Sequence, residues 1–177
     1  MLKFISIISI LFSLNSFAGV QFEKLDSVEF VNPELRSLVD KGEREFAIND
    51  AGACGFQVHE LNESGRWDMT VRNIFYITNY CHDEKEAYPI NNVNKVHRAT
   101  KRVIEDMAYL EIPESSGALD RLASKYSEMI KALYNNPNFI VFDGYSACDS
   151  LYSGHSEITI IDKQNKQYAV LFGGYSK

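Results

Sequence analysis

The chain has 177 residues, with 18 Lys and Arg against 24 Asp and Glu and a formal charge of −6. That balance disfavours nucleic acid and anionic membrane as generic partners, because phosphate binding is driven by clustered positive charge. The length fits one domain that buries a full core without needing disulfide or metal staples.

Met1-Leu2-Lys3 precedes an apolar run, Phe4 to Leu14, and then Asn15-Ser16-Phe17-Ala18. A positive side chain, a short hydrophobic segment and small residues at positions −3 and −1 are the three parts of a secretory signal. The expectation is cleavage after Ala18 and export, to the periplasm or the extracellular space. The apolar run is too short to span a bilayer, and no later stretch approaches the ~18 to 20 apolar residues that a membrane helix needs. Gly19 follows the predicted cut, where a lipid-anchored chain would carry cysteine, so residues 19–177 are read as a single free globular domain. Loss of Lys3 with the signal moves the formal charge from −6 to −7 and leaves 159 of the 177 residues.

Asn32-Pro33-Glu34 opens a short helix, with Asn32 as its cap and Pro33 in its first turn, running to about Lys41 and stopped by Gly42. Glu43 to Ile48 fits helix or strand equally. Phe56 to Leu61, Asn62-Glu63-Ser64-Gly65 and Arg66 to Tyr80 read as a hairpin. In its second arm Trp67, Met69, Val71, Phe75 and Ile77 alternate with Asp68, Thr70, Arg72, Tyr76 and Thr78, the period of a strand with one face on a core. Two amphipathic helices follow. Val96, Thr100, Val103, Met107 and Leu110 form one stripe, and Leu119, Leu122, Tyr126, Met129, Ile130 and Leu133 the other. Pro113 and Gly117 separate them, and Asn135-Asn136-Pro137 ends the second. Phe139 to Phe142, Ile158 to Ile161 and Tyr168 to Phe172 return to strand, nearly apolar on both faces as covered strands are. Asp162 to Lys166 is a polar turn between the last two. The order predicts an α+β fold: a largely antiparallel sheet, made of an N-terminal hairpin and a C-terminal three-stranded meander, with two long amphipathic helices packed on one face.

The segment Asp143 to Glu157, DGYSACDSLYSGHSE, reads as a polar loop between two of those strands. Its Gly144-Tyr145-Ser146 returns as Gly174-Tyr175-Ser176 near the C-terminus, each copy at the end of an apolar strand. In a meander the middle strand starts at the edge where its neighbours finish. Tyr145, Ser146, His155, Tyr175 and Ser176 are therefore expected at one edge, the two tyrosines about 10 Å apart across strands about 4.8 Å apart, with His155 between them. Tyr145, Ser146, His155 and Tyr175 are the candidate binding residues. The spacing suits a small polar ligand or a side chain of a protein partner. The competing explanation is structural: the glycines allow a bulge or twist, and the tyrosines cap the core with wet hydroxyls.

Catalysis has one candidate constellation. A histidine near a thiol lowers the thiol's pKa and activates it as a nucleophile, so Cys148 and His155 form a possible dyad, with Asp143 or Asp149 orienting the imidazole. Gly144 to Cys148 is not a nucleophile elbow, because Cys148 replaces the second glycine and no helix follows. Cys81-His82-Asp83-Glu84-Lys85-Glu86 lacks the alternation of a calcium loop and the matched N/S ligands of a zinc site, and reads as a solvated acidic turn. Lys95, Arg98 and Arg102, with Lys101 beside them, read as a solvated basic helix face, with contact to an acidic partner or to the acidic turn as the alternative. No metal and no cofactor is expected.

Cys54, Cys81 and Cys148 survive the predicted cleavage, and three thiols allow at most one bridge within the chain. The hairpin places the start of its first arm near the end of its second, which favours Cys54 with Cys81 and leaves Cys148 free; the register of a two-residue turn weakens this, and the other two pairings are the alternatives. The function read from sequence is an exported, non-enzymatic binding or interaction protein. A small secreted hydrolase or transferase using Cys148 and His155, and an inhibitor or immunity-type protein inserting the Cys148 to His155 segment into an enzyme, are the alternatives. The expected partner is a protein or a small polar ligand.

Overall fold

The computed structural model describes residues 21–25, 29–45, 52–60, 84–108, 117–148 and 153–175. The predicted signal, the second hairpin arm, Cys81 and the Asp149 to Tyr152 connection lie outside them. The elements are β1 (Gln21–Leu25), α1 (Pro33–Glu45), β2 (Gly52–Glu60), β3 (Glu84–Pro89), α2 (Val93–Ala108), α3 (Ala118–Tyr134), β4 (Phe139–Cys148), β5 (Ser153–Asp162) and β6 (Gln167–Tyr175). The six strands form one antiparallel sheet in the order β1-β2-β6-β5-β4-β3. This is an α+β fold, with the helices packed against the sheet. Among the described residues, no helix is long and apolar enough to cross a membrane.

The C-terminal meander forms as its pattern predicts, β4 beside β5 and β5 beside β6. The N-terminal pairing differs from the expected hairpin. Over Phe56 and Gln57, β2 has β1 on one side and β6 on the other, so no edge there is open to a second arm. A pattern of alternation specifies a strand but not its neighbour, and β2 finds its partners 110 to 120 residues onward in β6 and, across α1, upstream in β1. Glu84 to Glu86, read as an acidic turn, belong to β3, which pairs with Ala147 to Tyr145 of β4. Charged residues and Pro89 on a terminal strand are also what discourages unwanted edge pairing, so the same composition served two readings.

Helix α1 starts where expected: the Asn32 Oδ1 accepts the backbone N–H groups of Glu34 at 3.0 Å and Leu35 at 2.9 Å, satisfying donors that the first turn leaves free. It does not stop at Gly42, which lies buried inside it. Leu35, Leu38 and Val39 are all in the core, and their burial outweighs the roughly 0.5–1 kcal/mol that one internal glycine costs. Buried Gln167 ties the approach to this helix onto β6, with its Oε1 accepting from the Val31 N–H at 2.9 Å and its Nε2 donating to the Glu29 carbonyl at 3.3 Å. At the far end Glu45 accepts from the Tyr126 hydroxyl at 2.9 Å and pairs with Lys125, linking α1 to α3. The Lys125 ammonium holds the Glu45 carboxyl below the ordinary range, and burial raises the Tyr126 phenol.

Alternation along the strands creates two cores. Val141, Ile158, Ile160, Ala169 and Leu171 join Val96, Val103, Ile104, Tyr126, Ile130 and Leu133 between sheet and helices. Cys54, Phe142, Ile161, Tyr168 and Val170 form a separate buried cluster on the opposite face. The strands read as apolar on both sides are thus buried on both sides. Of the predicted stripes, Val96, Thr100, Val103, Tyr126, Ile130 and Leu133 are buried, and Leu119, Leu122 and Met129 are partly so. The polar turn follows β5: Asp162 Oδ1 accepts from the backbone of Gln164 at 3.1 Å and Asn165 at 3.0 Å.

Of the described glycines, Gly55 is the one where a side chain fits worst, since a Cβ there would lie 2.0 Å from the ring of Phe30, which is fully buried. Gly55→Ala is expected to lower stability by about 1–3 kcal/mol, as overpacking does, measured by urea denaturation. An unchanged midpoint would show that Phe30 yields. Tyr126→Phe, which removes one of the two hydrogen bonds to Glu45, is expected to cost about 1.5–3 kcal/mol at neutral pH. The loss should shrink in acid, because the Glu45 contribution is present above its unfolded pKa and disappears as pH falls through the lowered folded one.

Candidate functional site

The segment read as a polar loop is mostly ladder. β4 and β5 pair from Phe139 opposite Asp162 to Cys148 opposite Ser153 without a slip. Polar residues persist in these strands because some of them face a helix that offers partners: Arg102 of α2 pairs with Asp143, and Ser156 donates to Asp106 of α2. The strands therefore outlast their apolar runs by several residues at this end.

The register brings the candidate residues to the same end of three adjacent strands. Tyr145 lies opposite Ser156, and Ser156 opposite Gly173; Ser146 lies opposite His155, and His155 opposite Gly174; Gly154 lies opposite Tyr175. Faces divide them. Position 145 shares the helix-covered face with Val141, and position 175 shares it with Leu171, whereas positions 146 and 155 fall on the face of Phe142. His155 is thus between the tyrosines in strand order but on the other side of the sheet. Ser176 lies outside the described residues.

Alternation also bears on the dyad. Cys148 and His155 share a face as diagonal neighbours, because Cys148 pairs with Ser153 and His155 is two residues on. Such positions lie roughly 7–8 Å apart. Asp143 is on the opposite face and is engaged by Arg102, so it does not orient His155. Asp149 is outside the described residues.

The helix-covered face holds a more developed cluster at the β3 edge of the sheet. Arg102 pairs with Asp143, its Nη2 lies 3.5 Å from the Gly144 carbonyl, and its guanidinium sits 5.6 Å from the centroid of the Tyr145 ring. The Arg102 Nε is buried and has no hydrogen-bond acceptor among the described residues. Tyr88 is the cross-strand partner of Asp143, on the same face. Tyr88 is 59% exposed and Tyr145 39%, two of the three large hydrophobic side chains exposed among the described residues, the third being Val31. The sequence reading placed Arg102 on a solvated basic face. Lys95 and Arg98 are indeed exposed, but Lys101 reaches Asp120 of α3 at 2.8 Å and Arg102 turns to the sheet. Tyr88, a single tyrosine before a proline, carries no periodic signal in the sequence.

Burial pushes the Asp143 carboxyl above the ordinary range, and the attraction of Arg102 and then Lys95 only partly offsets it. The arrangement is chemically suited to contact. A guanidinium held over Tyr145, with Tyr88 the cross-strand partner of the carboxylate that holds it, offers donors, a cation and flat apolar area with few rotors to order, the residue types that dominate binding hot spots. Compared with known proteins, the chain matches no protein-family model, and no curated protein sequence matches it either.

A raised folded pKa means that Asp143 binds its proton more tightly in the folded chain than in the unfolded one. Its contribution to stability therefore falls as pH rises through the unfolded carboxylate value and on through the folded one. Asp143→Asn should abolish that part of the pH dependence. The stability of the parent relative to the variant is then expected to decline as pH rises from the unfolded carboxylate value, about 3.9, through the raised folded one, followed by urea midpoints at each pH. A parent that gains on the variant over this range would show that the ion pair, not burial, dominates.

Proposed function

We propose that the protein is exported, loses residues 1–18, and works without catalysis as a binding or interaction protein. Its contact patch is Tyr88, Tyr145 and Arg102 at the β3 edge, and its partner is a protein or a small polar ligand. One observation carries this reading: two exposed tyrosines on neighbouring strands flank a half-buried arginine ion pair. Exposed aromatic area costs a free protein solubility, and its grouping around a fixed guanidinium supports a role in recognition. Export rests on the N-terminal pattern. The patch keeps Tyr145 from the sequence reading and replaces His155 and Ser146, which fall on the other face, by Tyr88 and Arg102. It also favours a recognition surface over insertion of the Cys148 to His155 segment, since Cys148 and His155 are held in paired strands.

The hydrolase or transferase reading keeps one supporting observation, the shared face of Cys148 and His155. It predicts loss of activity in Cys148→Ala, whereas a recognition protein tolerates that change.

A photo-reactive phenylalanine analogue in place of Tyr88, irradiated in the producing cells, is expected to give a discrete adduct that Tyr145→Ala or Arg102→Ala weakens at least tenfold. The same analogue at Glu128, whose side chain is 72% exposed on α3, should give none. Equal adducts at both positions, or none at Tyr88, would count against the patch. Export is checked separately by the intact mass, which should correspond to a chain beginning at Gly19.

A further inference from the structure

We infer that the partner at the contact patch is a protein that lays an extended acidic segment along a step between α2 and β3, with its carboxylates on Lys95, Arg98 and Arg102 and its neighbouring side chains on Tyr88 and Tyr145. This rests on the patch being a recognition surface, and it names the chemistry of the occupant.

The step follows from how α2 sits. Val96, Ala99, Thr100, Val103 and Ile104 are its buried stripe, and the helix packs on β5 and β6. Helical periodicity sends the residues on either side of that stripe in different directions. On one flank His97 and Lys101 reach α3, where the His97 Nδ1 lies 3.1 Å from the Ser127 hydroxyl and Lys101 meets Asp120 at 2.8 Å. On the other flank Lys95, Arg98 and Arg102 follow one another at i, i+3 and i+7, and Arg102 reaches across to Asp143 of β4. Beyond β4 the described sheet continues to β3, whose main packing partner is β4 itself. α2 is therefore a wall, and Asp143, Tyr145 and Tyr88 form the floor beside it, with both tyrosines exposed.

The wall is positive. Lys101 and Arg102 have carboxylate partners, whereas Lys95 and Arg98 are exposed and have none among the described residues. Asp143 is the one carboxylate paired with these three cations, on a chain whose formal charge is −6. Opposite charge on a partner steers its encounter with such a tract and fixes its register. Shape then selects among anions. Seven residues at 1.5 Å each put Lys95 and Arg102 about 10 Å apart along the helix axis, too far for one small anion to engage all three cations. Alternate side chains of an extended chain recur about every 7 Å, so two or three carboxylates at alternate positions span the tract. A polyphosphate chain would meet the overall negative charge, which disfavours it. Past Arg102, toward the open end of the ladder, come Asp106, which meets Ser156, and on β3 the acidic positions 86 and 84. The positive tract ends there, so the acidic part of the segment is set against the first turns of α2.

The test is fluorescence anisotropy of labelled decapeptides in which Glu, Gln or Lys alternates with Thr, titrated with the protein purified from the producing cells. The Glu peptide is expected to bind, more weakly as salt rises from about 0.02 M to about 0.2 M because exposed charges are screened, and the Gln and Lys peptides are not. Lys95→Gln with Arg98→Gln should weaken binding about threefold or more, and Lys95→Glu with Arg98→Glu about tenfold or more. Lys163→Glu with Lys166→Glu makes the same change of net charge at exposed positions of the β5–β6 turn and should bind as the parent does. Equal binding of the Glu and Gln peptides, binding of neither, or equal loss in the two charge-reversed variants would overturn the proposal. The photo-reactive analogue at Tyr88 separates this failure from failure of the patch. An adduct lost in Lys95→Glu with Arg98→Glu as well as in Tyr145→Ala would uphold the acidic segment. An adduct that survives the charge reversal but not Tyr145→Ala would keep the recognition surface and overturn its acidic occupant, and no adduct at all would remove both.

Discussion

The uninterrupted ladder between β4 and β5 is the constraint on which the rest of this structure depends. Side chains alternate with a period of two, so a slip of one residue would exchange the two faces of both strands. With Val141 and Ile158 fixed toward the helices, Phe142 and Ile161 are fixed away from them. The same parity sends Asp143 to Arg102 and Ser156 to Asp106, and places His155 on the far side. Because both faces are buried, neither strand can shift without exposing one apolar set and burying charge on the other. The polar contacts at the open end of the ladder are therefore consequences of apolar packing at its closed end.

Arg102 and Asp143 illustrate what such a frame can hold. A partly buried ion pair is a weak source of stability, since desolvation cancels much of the Coulomb gain, and the upward pull of burial on Asp143 has that origin. Its structural effect is orientation. The pair fixes a guanidinium above Tyr145 at the edge of the sheet, where an unpaired arginine would sample many rotamers. A group already ordered in the free protein loses less entropy on contact with a partner.

The helices are positioned by different means. α2 and α3 present apolar stripes to one face of the sheet. α1 buries Leu35, Leu38 and Val39 in the same core and is in addition tied by polar contacts at its ends, the Asn32 cap, the Gln167 clamp and Glu45 with Tyr126. Gln167 is instructive, because it is a strand residue whose amide serves a segment 136 and 138 residues earlier. Its burial is tolerable only because both ends of the amide are satisfied.

Periodicity by itself determined most of the elements: the Asn32 cap, the two helical stripes, the turn at Asp162 and the three C-terminal strands were legible because each is decided by contacts within a few residues. It also determined that Tyr145, Ser146, His155 and Tyr175 gather at one end of the meander. Tertiary structure decided what local pattern does not encode. Which strand lies beside β2, that β3 rather than a turn holds Glu84 to Glu86, and that Arg102 faces the sheet all depend on partners distant in sequence. The division of Tyr145 from His155 followed from extending the ladder through a polar segment, where alternation is masked because Asp143 and Ser156, on the helix-covered face, are polar residues that pair with α2. Strand order is a choice among global packings that bury the same apolar faces, and only the assembled sheet makes that choice.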